Sequence, residues 1–307
     1  MCLENQVIIF LFMFARSKKI NRREKMKKVI LFLSIYLISL STFAQEAPDS
    51  TLNKWTPSIV TGLNISQIAF SNWSQGGENS LAWTLTGKFN AAYKTTKWTF
   101  KNELKAAYGQ TKIGGDDAKL TDNELYMETV YTYNVGWPID LFVSNILNTQ
   151  ISTGYEYNDT SRIAISNFFD PGYLTQTIGF AYTQNETIQT RLGLAFQEVV
   201  TSDYKQYSDD PDTPNEIETF KFETGIESVT DLKYQLDENL LFTSKLRLFS
   251  AFDRFDTWDV RWDNLITAKI NNWLNVNLTY LLVYDKIQSP TAQMKQGLQL
   301  GITYSIL

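Results

Sequence analysis

Ionised side chains spaced two residues apart, as in Lys101, Glu103 and Lys105, are the residues of this chain that could do chemistry. On a β-strand this spacing places them on one face, where they can pair with one another or line a path for charged solutes. The candidates of this kind are Lys88, Lys101, Glu103, Lys105, Glu128, Arg191, Glu223, Glu227, Lys245, Arg247, Arg261 and Asp263, with Lys269 and Asp285 in the same pattern.

The composition excludes several kinds of active site. The 307 residues include no histidine and a single cysteine, Cys2, so an imidazole base, a thiolate nucleophile and a Cys/His metal cage all lack their reagents. Catalysis by carboxylates alone requires paired acids in a recess, whereas the pairs Asp116–Asp117 and Asp209–Asp210 lie in polar loop sequences. We therefore expect no catalytic residue, no enzyme activity, no cofactor and no metal. The acidic segments 114–124 and 208–216 leave calcium binding as an alternative, although neither has the spacing of a calcium loop.

The N-terminal region has the layout of a secretory signal peptide. Two lysines follow Met26, an apolar run continues to Leu40, and small residues precede a cleavage site after Ala44. We assign residues 1–25 to an upstream extension from a misplaced start codon, 26–44 to the signal peptide, 45–56 to a short periplasmic segment and 57–307 to a single domain. The first 44 residues hold eight of the 28 basic and two of the 33 acidic residues, so the remainder has 20 bases, 31 acids and a net charge of −11. That charge disfavours a nucleic-acid partner.

The rest of the chain alternates apolar and polar residues with a period of two. In residues 80–93, Leu81, Trp83 and Leu85 alternate with Ser80, Ala82 and Thr84, and a β-strand separates such sets onto two faces. The alternation predicts twelve strands, at about 57–70, 79–93, 97–110, 121–134, 138–150, 173–184, 187–200, 217–236, 239–252, 258–270, 273–285 and 295–307.

The connections between the predicted strands alternate in length. Those after the even-numbered strands are tight, whereas those after the odd-numbered strands are mostly longer, including the segments 111–123 and 201–218. With a periplasmic N-terminus, the tight turns face the periplasm and the loops face outward, which is the asymmetry of outer-membrane barrels. The fold class we predict is all-β: a transmembrane antiparallel up-and-down β-barrel of about twelve strands, located in the cell outer membrane. The alternative is a periplasmic β-protein, but these strands exceed the five or six residues usual in soluble sheets.

Aromatic residues collect near the ends of the predicted strands, as expected for the interfacial girdles of a membrane barrel. They are Trp55, Trp83, Tyr93, Trp98, Tyr108, Tyr131, Tyr133, Trp137, Trp258, Trp273 and Tyr284.

One loop sequence carries a recognisable motif. It lies between the first two predicted strands and consists of Asn72, Trp73, Gly76, Gly77, Glu78, Asn79 and Ser80. These residues resemble the Asn-Trp-x-x-Gly-Gly-x-Asn-Ser motif of the Bacteroidota family known as domain of unknown function 3078. The resemblance implies an outer-membrane β-barrel and brings no established activity. The glycines permit a reversal with positive φ, and we expect Glu78 to bind a lumen cation such as Lys88 or Arg261.

Two interpretations of the charged face remain open. The lumen charges pair and fill a structural or ligand-binding barrel, or they line a pore or transporter for a small solute. An outer-membrane enzyme is a third, weaker alternative. The partners we expect are outer-membrane lipid, the outer-membrane assembly machinery during insertion, and a small solute.

Overall fold

The computed structural model describes residues 52–306, except 73, 75, 159–160, 184–185, 211–212, 214–215 and 287–288. The predicted extension and signal peptide lie outside the described residues. The strands are β1 Trp55–Ile68, β2 Ser80–Lys94, β3 Trp98–Ile113, β4 Lys119–Tyr133, β5 Asp140–Thr149, β6 Gly154–Tyr157, β7 Arg162–Ser166, β8 Gly172–Tyr182, β9 Ile188–Val200, β10 Phe220–Asp237, β11 Leu240–Ala251, β12 Asp259–Lys269, β13 Leu274–Tyr284 and β14 Gln293–Ser305. Short 3-10 turns lie at Lys205–Tyr207 and Phe252–Arg254. Within the described part of the chain, no helix combines the length and apolar character needed to cross a membrane.

Twelve of these strands close into one antiparallel barrel, which confirms the predicted fold class and strand number. Each barrel strand pairs with its neighbours in the order β1–β5, β8–β14, and β14 returns to β1. The closing register places Val60 opposite Ser305 and Ile65 opposite Leu300. Because the sheet closes on itself, neither the first nor the last strand is left with an unpaired edge.

The outward face of the barrel is apolar because alternate side chains of each strand point to opposite faces of the sheet. Large apolar side chains remain exposed there at the middle of the strands, among them Leu85, Ile178, Leu192 and Leu298. The residues at the alternate positions between them, which have the opposite parity in the sequence, are mostly ionised or small and polar, and they face the lumen. The alternation of apolar and polar residues along each strand therefore produces both the apolar exterior and the polar lumen.

Two rows of aromatic side chains flank the outward face on β1–β4. At the end with the tight turns, ring centroids lie 5.4 Å apart for Trp55 and Tyr93, and 5.2 Å apart for Tyr93 and Trp98. Tyr131 continues this row 5.8 Å from Trp98. Near the other end of β2 and β3, Trp83 contacts Tyr108 across 6.1 Å. Predicted aromatic residues thus occupy both ends of these strands.

One predicted long loop is much shorter than expected. Residues 111–123 form only a five-residue connection, 114–118, because β3 and β4 both extend into the segment. The pairing tolerates the extension through a bulge between Gly109 and Gln110, and a bulge adds an unpaired residue without ending the ladder. Asp122, which lies where the predicted loop 111–123 overlaps the predicted strand 121–134, therefore belongs to β4.

The connection between β5 and β8 contains a hairpin, β6–β7, that the sequence did not predict. Its base is held by Asn123, whose Oδ1 accepts the backbone N–H groups of Ile151 and Ser152 at 3.0 and 2.9 Å. The hydroxyl of Tyr157 accepts the N–H of Leu120 at 2.8 Å. These bonds fix the hairpin beside the loop end of β4.

Candidate functional site in the barrel lumen

All twelve predicted lumen charges lie on the inward face. Several of them contact strands on the far side of the barrel, which is possible only through the interior. Arg261 on β12 binds Glu124 on β4 at 2.7 Å, and these two strands are on opposite sides of the barrel. Lys101 on β3 donates to Gln189 on β9 at 3.1 Å. The expected pairing between neighbouring strands also occurs, but it is only part of the arrangement.

Three mostly buried charges, Glu128, Arg191 and Lys245, form a cluster with the partly exposed Asp231, which we call the Glu128 cluster. One carboxylate oxygen of Glu128 accepts from Arg191 Nη2 at 2.6 Å, and the other accepts from Lys245 Nζ. Asp231 lies 3.5 Å from Arg191 and 3.4 Å from Lys245. Four strands, β4, β9, β10 and β11, are therefore joined through the lumen at one point.

Strand β4 carries three acids with the same parity, Asp122, Glu124 and Glu128, which we call the β4 acidic row. Asp122 binds Lys295 on β14, and Glu124 binds Arg261 on β12. Each acid of the row thus reaches a cation on a strand that is not its neighbour. The row places negative charge along one wall and draws cations from the other walls across the lumen.

A second group of ion pairs follows β10 toward the loop end. The Glu227 carboxylate is fully buried, and it accepts from Arg247 Nε at 2.6 Å and from the Thr177 hydroxyl at 2.5 Å. Nearer the mouth, Glu223 binds Lys221 at 2.9 Å and Arg254 at 3.1 Å. Both of these buried carboxylates are therefore paired with cations inside the lumen, as buried charges require.

Arg254 places a cation from the 3-10 turn Phe252–Arg254 into the mouth of the barrel. Its guanidinium donates to both carboxylate oxygens of Asp259, at 3.1 and 3.0 Å. Partial burial acts to lower the pKa of Arg254, but its hydrogen bonds and attraction to Asp259 and Glu223 outweigh this effect and raise the pKa above its usual range. Arg254 is therefore a fixed positive charge at the mouth, where Asp285, one of the further candidates, lines the same recess.

The two sides of the lumen differ in packing. Phe142, Ile146, Val229 and Phe249 point inward from β5, β10 and β11 and are buried, so part of the lumen is a packed apolar core beside the predicted ionised residues. On the other side, the Lys88 and Lys105 side chains lie near the middle of β2 and β3 and yet are 45% and 39% exposed. The β2–β3 wall is therefore more loosely packed than the other side, with room for water beside its lysines.

The motif loop is anchored at the rim of the barrel. Asn79 Oδ1 accepts the backbone N–H of Phe70 at 2.6 Å, and the Asn79 carbonyl accepts the N–H of Gly114 at 2.7 Å. Asn72, Gly76 and Gly77 adopt positive φ angles of 53°, 79° and 127°, the backbone conformation that glycine was expected to permit here. Ser80 begins β2.

The predicted contact of Glu78 with a lumen cation is wrong. Glu78 lies against Gly114 of the β3–β4 connection, where a Cβ on that glycine would be 2.7 Å from Glu78 Oε2. Lys88 binds Glu103 at 2.9 Å instead, and Arg261 binds Glu124 and Asp263. The loop is too close to the rim for its acid to reach cations at mid-barrel. Trp73 of the motif lies outside the described residues.

Sequence reasoning missed several lumen charges that complete the site, among them Asp122, Glu124, Asp231 and Lys295. A signal was present, because Asp122 and Glu124 have the parity of Glu128, and Asp231 has the parity of Glu227. Residues 121–124 belong both to a predicted strand and to the acidic segment 114–124, and this overlap obscured the inward direction of Asp122 and Glu124.

Comparisons with known proteins bear on the family and on the fold. Residues 65–155 match the family described as Protein of unknown function (DUF3078). The DUF3078 match confirms the resemblance carried by the motif loop, and it includes β2–β5 and with them the β4 acidic row. A search of curated proteins finds no match.

The chain is also similar to solved barrel structures at low sequence identity. An outer membrane channel from Pseudomonas putida F1 is 10% identical with a TM-score of 0.39, covering 85% of this chain and 99% of the channel. The translocator domain of the autotransporter NalP from Neisseria meningitidis is 10% identical with a TM-score of 0.34, covering 92% and 97%. OmpF from Salmonella typhi, in complex with daunomycin, is 11% identical with a TM-score of 0.29, covering 85% and 100%.

Proposed function

We propose that the protein is an outer-membrane barrel that lets small solutes pass through a narrow, charged lumen. The membrane location is supported by the outward face, whose apolar side chains would promote aggregation in water. On β3, Trp98 and Tyr108 mark the two aromatic rows ten residues apart. At about 3.3 Å per residue and a tilt of about 40°, the rows are separated by roughly 25 Å, the height of the apolar band of outer-membrane barrels.

The observation that carries the pore is the exposure of lumen side chains at mid-barrel. Lys88 and Lys105 are far from both ends of their strands, yet solvent reaches them, whereas the opposite wall is packed. A continuous core would bury these lysines or pair each of them with its own acid, because unpaired buried cations are costly. Instead both bind the single carboxylate of Glu103 and stay in contact with water.

The ion pair between Glu124 and Arg261 narrows this path, because it joins opposite walls of the barrel. The double variant Glu124→Ala/Arg261→Ala removes both charges together, so neither is left without its partner. It also widens the lumen where the ion pair crosses it. The test is single-channel recording of the refolded protein in planar bilayers. We expect small conductance steps for the wild type and larger steps for the double variant.

A matched control removes a hydrogen-bonded pair that faces outward. Asn102 Nδ2 donates to Thr129 Oγ1 at 2.6 Å between β3 and β4, and both residues have the parity of the apolar face. The variant Asn102→Ala/Thr129→Ala should conduct like the wild type. An equal increase in both double variants would attribute the change to a loosened barrel wall and contradict a constriction at Glu124 and Arg261.

A closed structural or ligand-binding barrel is the second candidate, and the Glu128 cluster favours it. That cluster joins four strands across the lumen, as expected for a barrel stabilised by its own interior. If neither the wild type nor Glu124→Ala/Arg261→Ala conducted at any voltage, the result would support this role and contradict the proposed pore function.

A further inference from the structure

A small chamber lies in the middle of the lumen, beside the path along β2 and β3. Its volume is about 60 Å³, and four of its lining residues are cations: Lys105, Lys245, Arg247 and Arg261. Two acids, Glu124 and Asp263, line the same chamber. Among the residues that line the chamber, cations therefore outnumber acids, although the chain as a whole is acidic.

The cations of the chamber are brought together at an energetic cost. Arg247 and Arg261 are direct register partners on β11 and β12, and like charges in that position repel and destabilise a sheet. On the other wall, the ammonium groups of Lys105 and Lys245 lie 5.3 and 5.4 Å from the centre of the same Tyr126 ring. Each of these cations also binds a carboxylate of the chain, which offsets part of the repulsion, and an anionic ligand in the chamber would offset it further.

The two arginines retain hydrogen-bonding capacity. Arg247 donates through Nε to Glu227 and through Nη2 to Thr175 and Gln197. Arg261 likewise donates to Asp263 through Nε and Nη2. Across the residues that the structure describes, these bonds leave Nη1 of both guanidiniums without an assigned acceptor, and guanidinium groups bind carboxylate and phosphate oxygens in planar, paired geometry.

We propose that this chamber binds a small oxyanion, a carboxylate or a phosphate, between the arginine pair and Lys105. The inference deepens the proposed pore function by naming the class of solute that would pause at mid-lumen. Binding stands apart from conduction, since an oxyanion could occupy the chamber in a barrel that does not conduct.

Lys105 and Lys88 form a matched pair of positions for the test. Each lysine binds Glu103 at 2.9 Å, they are register partners on β2 and β3, and each variant to glutamine removes one positive charge while leaving Glu103 the other lysine. Only Lys105 lines the chamber. Lys105→Gln should therefore weaken oxyanion binding, and Lys88→Gln should leave it nearly unchanged.

The measurement is the thermal stability of the refolded barrel, followed by heat-modifiable gel migration, during titration with inorganic phosphate and separately with acetate. Chloride at matched ionic strength controls for screening. We expect phosphate, acetate or both to stabilise the wild type, and Lys105→Gln to require about tenfold more anion, as for loss of one charged hydrogen bond. No stabilisation beyond chloride would overturn the inference, and so would equal weakening by Lys105→Gln and Lys88→Gln.

Single-channel recording of the same three proteins separates this inference from the proposed function. A silent barrel that phosphate stabilises through Lys105 would overturn the pore and support the oxyanion site. A conducting barrel that neither anion stabilises would support the pore and overturn the site.

Discussion

Replacing Glu128 with alanine is expected to destabilise the folded barrel strongly. The Glu128 side chain is almost fully buried, and its carboxylate binds both Arg191 and Lys245. When the Glu128 carboxylate is removed, Arg191 and Lys245 remain mostly buried. Among the described residues, the one carboxylate that still contacts them is that of Asp231, 3.5 Å from Arg191 and 3.4 Å from Lys245. The barrel interior then holds positive charges that water cannot solvate well.

The size of the effect follows from the burial of the two carboxylates. Breaking a buried ion pair by removing one partner costs about 3–5 kcal/mol, and Asp231 offsets little of this because its side chain is 41% exposed. We expect Glu128→Ala to lower the free energy of unfolding by about 3 kcal/mol or more. Asp231→Asn is the matched control because Asp231 contacts the same two cations, and as a partly exposed partner it should cost no more than about 1 kcal/mol.

The assay is a urea titration of the protein folded into lipid vesicles, with the folded fraction read from heat-modifiable gel migration. Glu128→Gln keeps an acceptor of similar shape and should fall between the wild type and Glu128→Ala. If Asp231→Asn destabilised the barrel as much as Glu128→Ala, the contribution of a carboxylate to the free energy of unfolding would not depend on its burial. A Glu128→Ala protein as stable as the wild type would refute the reasoning altogether.

Three further predictions concern the loops and the exterior. Gly77→Ala should cost about 1–3 kcal/mol of stability by urea titration, because φ is 127° and a Cβ would lie 2.8 Å from the Phe70 ring. Asp170→Ala should speed proteolysis of the loop 201–219, because the Asp170 carboxylate accepts two backbone N–H groups at its start, at 2.9 and 2.8 Å. Trp98→Ala should cost about 1–3 kcal/mol, because two stacked aromatic contacts are lost.

Each of these variants has a control in the same chain. Gly76→Ala tests backbone strain alone, because φ is 79° but no atom lies within 4 Å of the added Cβ, and it should cost less than Gly77→Ala. Asp116→Ala in the exposed β3–β4 connection should leave proteolysis at 201–219 unchanged. Trp137 is 65% exposed in a turn, so an equal loss from Trp137→Ala would contradict a specific role for the stacked row.

The strands were predictable from sequence because one face of each barrel strand is apolar and the alternation persists for ten residues or more. The β6–β7 hairpin was not, because strands of four and five residues are too short for a period of two to stand out. The packed part of the lumen escaped prediction for a related reason. Phe142 and Phe249 lie on the polar parity of their strands, and an alternation rule assigns apolar residues to the exterior.

The candidate site was predictable only as a set of inward-facing charges. Parity gives the face of each residue, but it does not give the height of a strand in the barrel or the strand that lies opposite. The contact between Glu124 and Arg261 depends on both, through the barrel's closure and the stagger of its strands. The oxyanion chamber depends on them as well, because its four cations come from three strands.

The β4 acidic row also has a consequence for the kinetics of the barrel. Glu128 and Lys245 are 117 residues apart in the chain, and Asp122 and Lys295 are 173 apart. The first pair needs β11 and the second needs β14, so neither can form until these later strands have been added. Contacts made after the rate-limiting step of folding change the rate of unfolding and leave the rate of folding almost unaltered. We therefore expect the row to slow the opening of a finished barrel in the membrane while contributing little to its insertion.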